Sequence, residues 1–244
     1  MITKHQIKLI KSLVLKKNRQ QLGLFTVEGI KGINEFLNSD FELENLFTSK
    51  LIFDVPNNLL TEISEIELKK ITSLKNPNTA LAIFKIPEAI APKEEGLIIA
   101  LDDVRDPGNL GTIIRLCDWY GVNNLICSTS TVDCYNSKVV QATMGSLTRV
   151  NVVYLDLKDY LESNKLDAFG TFMDGENIYS TNLPSKGVVI LGNEANGISE
   201  IIRSKVSRQL TIPQFGDNQS TESLNVANAT AIILSEFRRR TIET

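Results

Sequence analysis

One histidine, one tryptophan and three cysteines are all that 244 residues hold of the side chains that most often declare a function. The single histidine, His5, lies among lysines near the amino terminus, so catalysis through a Ser-His-Asp or Cys-His pair is not expected. Cys117, Cys127 and Cys134 are an odd set without CxxC spacing, which argues against a disulfide framework or a zinc site and for buried, reduced thiols. No apolar run approaches the length that spans a bilayer, and MITKHQIKLIKS lacks the continuous apolar core of a secretory signal. A cytoplasmic protein without a membrane partner is therefore expected. Neither GxGxxG nor GxxxxGK[ST] occurs, which removes the dinucleotide fingerprint and the P-loop.

Net charge is -3, so the sum of charges does not point to nucleic acid, but their distribution is uneven. Between Met1 and Lys31 stand Lys4, Lys8, Lys11, Lys16, Lys17, Arg19 and Lys31 against the lone carboxylate Glu28. A local basic face can hold phosphates on an acidic protein; a solvated helix face reads equally well from charge alone.

With 42% apolar and 23% charged residues the chain is of ordinary globular composition. Ile7, Ile10, Val14 and Leu15 at helical spacing predict an amphipathic helix over residues 4–17. Strands are predicted at Leu24–Val27, at Leu46-Phe47, at Leu51–Phe53 and over Ala80–Ile86, with helices through Phe36 and over Ser64–Leu74. Residues 1–86 thus form a small α/β domain, and the Pro- and Glu-containing stretch 87–96 reads as a linker. In 97–244 the texture changes to buried-strand runs at Leu97–Leu101, Leu125–Cys127, Val150–Leu155, Ala168–Phe172, Val188–Leu191 and Gln209–Ile212. Helical patterns at Leu110–Tyr120, Ser137–Leu147, Leu157–Asn164, Ser199–Lys205 and Leu224–Arg239 separate or follow them. This alternation predicts an α/β fold with a largely parallel sheet and helices on both faces.

In such a sheet ligands bind beyond the carboxyl ends of the strands, and three strand ends carry unusual residues. In Asp106-Pro107-Gly108-Asn109-Leu110-Gly111, Asn109 is the expected helix cap, with Arg115 beside the buried stripe of the helix that follows. Leu191-Gly192-Asn193-Glu194-Ala195-Asn196-Gly197 predicts a tight turn with exposed backbone groups. After Ile212-Pro213 and a polar loop come Ser223-Leu224-Asn225-Val226, with Ser223 the expected cap of a slim, alanine-rich helix and Asn225 placed for hydrogen bonding. Taken one at a time, each turn is also explained as a capped helix or a tight turn.

In their order, these three turns resemble the motifs of the SpoU/TrmH family, RNA 2′-O-ribose methyltransferases of the SPOUT class. Lys16-Lys17-Asn18-Arg19 and Gly23–Gly29 are similar to that family's RNA-binding domain. The resemblance implies a carboxyl-terminal trefoil knot, an L30e-like amino-terminal domain, S-adenosylmethionine as cofactor and a homodimer. It implies cofactor contacts at Thr171, Leu191, Gly192, Ile212 and Leu224. Arg115 is implied as the catalytic residue, with Asn109, Glu194, Ser223 and Asn225 ordering the site, and Lys16, Lys17 and Arg19 as contacts to RNA. Ribosomal RNA is the expected substrate, with transfer RNA or a non-catalytic RNA-binding module as alternatives. Position 227 is Ala where many members carry Ser, and the loop 217–222 is longer than in the shortest members.

Overall fold

The computed structural model describes residues 1–77, 79–215 and 223–242. The chain forms two compact units, Met1–Ala89 with Asp133–Thr148, and Ile90–Val132 with Arg149–Thr244. A division into consecutive segments, expected from sequence, misses that Asp133–Thr148 packs with the first unit. Three contacts explain it. Asp133 pairs with Arg19, the Tyr135 ring lies 4.7 Å from that of Phe25, and the segment's helix packs on the strand that holds Phe25.

The first unit opens with α1 (Lys4–Ser12), started by a capping box in which Thr3 and Gln6 satisfy each other's backbone N–H groups. The expected helix over 4–17 breaks here. Ile10 and Leu13 form the buried stripe, whereas Val14 and Leu15 are exposed, and α2 (Lys16–Leu22) starts afresh before ending at Gly23 in the left-handed region, φ +65°. β1 (Leu24–Glu28), α3 (Ile30–Leu37), β2 (Leu43–Thr48), β3 (Leu60–Glu62), α4 (Glu65–Ile71) and β4 (Ala80–Lys85) follow. The sheet order is β1-β4-β2-β3, with only β2 and β3 parallel. No strand forms at Leu51–Phe53, where Leu51 and Ile52 are exposed; β3 pairs with β2 instead.

The second unit holds β5 (Leu97–Leu101), α5 (Pro107–Trp119) and β6 (Asn124–Ser128); α6 (Ser137–Thr143) belongs to the first unit. α6 stops short of the expected Leu147 because Met144 and Gly145 turn to φ +52° and +98°. β7 (Asn151–Leu155), α7 (Leu157–Ser163), β8 (Ala168–Asn177), β9 (Gly187–Leu191), α8 (Glu200–Arg203), β10 (Arg208–Thr211) and α9 (Val226–Ile242) complete the unit. Its six strands lie in the order β10-β8-β9-β5-β6-β7, and every pairing is parallel.

β5, β6 and β9 are buried along their whole length, as strands covered on both faces must be. On one face Ile98, Ala100, Ile126, Val188 and Ile190 pack with Leu157 of α7 and Ile202 of α8. On the other, the Phe169 ring meets that of Phe237 of α9 edge-on at 5.5 Å. Each such side chain contributes about 1.5–3 kcal/mol by leaving water. The chain runs from β5 outward through β6 and β7, then returns to the far side of β5, which makes the β5–β9 boundary the switch point where such sheets bind ligands. No described helix is long and apolar enough to cross a membrane.

Candidate active site

The turns that leave β5 and β9 are tied together by side chains. Asp102, 8% exposed at the end of β5, accepts a hydrogen bond from the Ser199 backbone N–H at 2.8 Å. Asp103 takes φ +61°, rare for a residue with a Cβ, and its N–H donates to Ser128 Oγ at 2.9 Å. Its carboxylate receives Arg105 Nε at 2.9 Å, and the bond and charge together hold the Arg105 pKa above its usual value. Asn193 Nδ2 donates to the Asp103 carbonyl at 2.6 Å, while Asn193 Oδ1 accepts from Ala195 and Asn196.

Gly192 is required by space rather than by φ. The Asn193–Gly197 bridge, two bonds of 2.9 Å, folds the turn back so closely that a Cβ on Gly192 would sit 2.1 Å from the Gly197 carbonyl carbon and 2.2 Å from Ile198 N. Both are backbone atoms, so no rotamer change relieves the clash.

Two expected caps are displaced. α5 is capped by Asp106, which accepts from the Asn109 N–H at 2.8 Å with Pro107 in the first turn. Asn109 therefore lies inside the helix, its side chain left to reach outward. α9 begins at Val226 rather than Leu224, and Asn225 Oδ1 takes the N–H groups of Ala227 and Asn228 at 3.0 and 3.3 Å in place of Ser223.

These displacements bring the three turns to one point. Asn225 Nδ2 donates to Asn109 Oδ1 at 2.9 Å, and Asn109 Nδ2 donates to Glu194 Oε1 at 2.8 Å. The relay starts at the cap of α9, passes through α5 and ends on the turn after β9. Beside it opens a cavity of about 1020 Å³ whose lining includes Thr171, Leu191, Gly192, Ile212 and Leu224, with Glu194 and Ser223 also on its wall. Among the described residues the backbone N–H and C=O groups of Gly192 and Ile212 have no hydrogen-bond partner. Both residues line the pocket together with apolar side chains such as Ile198, Leu210 and Ile233, a combination suited to a flat apolar ring with a hydrogen-bonding edge. Elsewhere on the wall, the partly exposed Arg203 guanidinium lies 4.6 Å from the Phe172 ring centre and 3.6 Å from Asp174. No cluster of metal-ligating side chains occurs among the described residues.

Comparison with known proteins decides what kind of site this is. Residues 96–235 match the SpoU rRNA Methylase family, and residues 4–82 match the MRM3-like substrate binding domain. The chain belongs to the SpoU rRNA methylase family. The 23S rRNA (guanosine(2553)-2′-O)-methyltransferase RlmP of Bacillus subtilis is 30% identical over 245 residues, 96% of each chain. A TrmH-family structure from Porphyromonas gingivalis is 36% identical with a TM-score of 0.91, over 98% of this chain and 99% of its own. The AdoMet-bound rRNA methyltransferase from Sinorhizobium meliloti is 30% identical with a TM-score of 0.87, over 98% and 96%.

Set against its family motifs, the chain keeps Asn109, Glu194 and Asn225 in one network, but Arg115 lies outside it. Six residues along α5 from Asn109, Arg115 is turned by about 240° and displaced by about 9 Å; it is exposed, with no hydrogen bond or ion pair among the described residues. Ser223 is exposed on the cavity wall with no cap to make. In the first unit Lys16 and Lys17 are exposed on α2, whereas Arg19 is 2% exposed and cannot meet a phosphate. Asp102, Asp103 and Asn193, which tie the turns together, stand in the motif turns without any local pattern that marks their partners. The loop 217–222 lies outside the described residues.

Proposed function

We propose that this SpoU family member transfers the methyl group of S-adenosylmethionine to a ribose 2′-hydroxyl of ribosomal RNA in the cytoplasm, acting as a homodimer on a knotted carboxyl-terminal domain. The observation that carries the reading is the Asn225–Asn109–Glu194 relay at the mouth of a cavity whose wall includes the tight turn that only Gly192 permits. Thr171, Leu191, Gly192, Ile212 and Leu224 would hold the cofactor, the unpartnered backbone groups of Gly192 and Ile212 meeting the edge of its adenine. When bound, S-adenosylmethionine supplies an electrophilic methyl on a cationic sulfur.

The chain's own residues then have to fix the hydroxyl in line and dispose of its proton. A guanidinium keeps its own proton to beyond pH ~12, so Arg115 acts by clamping a phosphate and orienting the hydroxyl, and the proton released on transfer leaves to solvent water. The family resemblance implies active sites at a subunit interface, and the turn of α5 that carries Arg115 away from the relay of its own protomer supports its serving the site of the partner. Asn109, Glu194, Ser223 and Asn225 order the receiving side. In the first unit, α2 offers Lys16 and Lys17 to the RNA backbone.

Mapping 2′-O-methyl groups in ribosomal and transfer RNA from cells with and without the gene tests the reading. Loss of one ribosomal methylation supports it. Loss confined to transfer RNA would move the substrate, and an unchanged map with no S-adenosylmethionine binding by calorimetry would leave a non-catalytic RNA-binding module.

A further inference from the structure

The three turns that meet at the relay, residues 102–109, 192–199 and 212–225, carry the carboxylates Asp102, Asp103, Asp106, Glu194, Asp217 and Glu222 and a single cation, Arg105. A nucleic acid that brings a ribose to this point must set its phosphates among those carboxylates, and like charges repel. Arg105 is the one group of these turns that can offset the repulsion.

The chain around Arg105 is fixed. Asp103 donates its N–H to Ser128 Oγ and accepts Asn193 Nδ2 on its carbonyl. Val104 is fully buried, and its carbonyl accepts the Val132 N–H at 2.9 Å. Asp106 caps α5. The side chain of Arg105 is held as well: Nε donates to Asp103 Oδ1 at 2.9 Å, and Nη2 stands 2.8 Å from Asp103 Oδ2. Asp103 makes this two-point pair from the left-handed region at φ +61°, a conformation that a residue with a Cβ seldom keeps away from functional positions.

That pair uses one flank of the guanidinium. The end-on fork, formed by Nη1 and the outer hydrogen of Nη2, has no protein partner among the described residues. Two parallel N–H donors in a plane match two oxygens of a phosphate. The charge of Glu194 adds to the bond and charge of Asp103 in raising the Arg105 pKa, which puts the guanidinium beside the Glu194 end of the relay.

We propose that Arg105 grips one phosphate flanking the acceptor ribose, from the protomer that supplies the relay, while the partner's Arg115 holds the other. The inference rests on reading the chain as an RNA 2′-O-methyltransferase with a shared site, and it names a second positioning residue for that substrate. Grips on both sides of one ribose fix the direction of its hydroxyl. Asp103 aims the grip.

The probe is ribosomal RNA from cells that lack the gene, bound to and methylated by the full-length protein. Arg105→Gln should weaken RNA binding by about ten-fold or more, the loss of a charged hydrogen-bonded contact. Its slope of log affinity against log salt should fall by about 0.7–0.9. Cofactor affinity by calorimetry should stay as in the wild type. Asp103→Asn separates aiming from charge, since Asn tolerates the left-handed backbone and the turn gains one positive charge. Simple attraction would tighten RNA binding in this variant, whereas loss of aim weakens it several-fold.

Unchanged affinity and salt slope in Arg105→Gln, or tighter RNA binding in Asp103→Asn, overturns the proposal. So does a change of oligomeric state by light scattering in Arg105→Gln, which would assign the guanidinium to a subunit contact. Methyl transfer by the wild-type protein is scored separately. Transfer together with unchanged RNA binding in Arg105→Gln removes only the role of Arg105. A reduced salt slope in that variant, without transfer by the wild type to any ribosomal RNA, removes only the enzymatic reading.

Discussion

Arg19 reaches across 114 residues of chain to Asp133, donating to one carboxylate oxygen from Nε at 2.9 Å and from Nη2 at 2.5 Å. Its remaining terminal nitrogen donates to the carbonyls of Leu13 and Val14 at 2.8 Å each, the groups freed where the first helix breaks. The ion pair therefore does two jobs within the first unit. It locks the α1–α2 turn and fastens the start of the Asp133–Thr148 segment.

Breaking a buried pair by removing one partner leaves a charge without compensation, at a cost of about 3–5 kcal/mol. Asp133→Ala should lower stability by that amount, read as a shift of the urea midpoint without a change of slope. A loss under about 1 kcal/mol would mean that water reaches Arg19 and that the pair behaves as a surface one.

Lys16 and Lys17, exposed beside it, carry the opposite expectation. Neutralising each to Gln should leave the urea midpoint within about 0.5 kcal/mol of wild type. It should also reduce the slope of log affinity for RNA against log salt by about 0.7–0.9 per lysine. An unchanged salt slope in the double variant would return α2 to a solvated face.

What could be read beforehand, and what could not, follows from the range of the interactions. β5 was predicted residue for residue, because a strand covered on both faces must be apolar throughout and Leu97–Leu101 is. β3 escaped because Leu60-Thr61-Glu62 is three residues on a sheet edge, too short for any alternation to show. The cap of α5 differs from the expected Asn109 for a local reason: the Pro in Asp106-Pro107-Gly108-Asn109 marks the first helical position and makes Asp106 the cap. The three motif turns announced themselves through Gly and Asn. Their meeting did not, since Asn225, Asn109 and Glu194 come from separate elements and leave no local period. For the same reason nothing near Asp133 or Tyr135 in sequence tells of Arg19 or Phe25.

The tightest steric demand at the site belongs to Gly192. In Gly192→Ala the new methyl would overlap the Gly197 and Ile198 backbone at 2.1–2.2 Å, so the turn must open and the cavity wall must move. S-adenosylmethionine affinity should fall at least about a hundred-fold by calorimetry, while overpacking costs the fold only about 1–3 kcal/mol. Retained affinity would show that the turn is not part of the cofactor site.

Asn109 accepts from Asn225 and donates to Glu194, so the effects of removing the two asparagines should not add. A double-mutant cycle with Asn109→Ala and Asn225→Ala, read in the rate of methyl transfer, should give a coupling of about 1 kcal/mol, the net worth of one hydrogen bond. Additive losses would mean that the two side chains act independently and that the relay has no part in ordering the site.

Arg115 lies off the relay of its own protomer, and from that comes the sharpest expectation of the dimeric reading. Arg115→Ala alone should abolish methyl transfer while leaving cofactor affinity nearly intact, because the residue touches neither the cavity nor the network. Asn225→Ala, which removes the centre-side amide, should be strongly impaired by itself. If each site combines Arg115 of one protomer with the relay of the other, unfolding and reassembling the two variants together produces mixed dimers with one composite site wholly wild type. With random pairing half of the dimers are mixed and one of their two sites is intact, so activity should return to roughly a quarter of the wild-type value. Sites built within single protomers allow no such rescue, since every one of them would carry one of the two defects. A mixture as inactive as its components would therefore place Arg115 in its own protomer's site and end the shared-site reading.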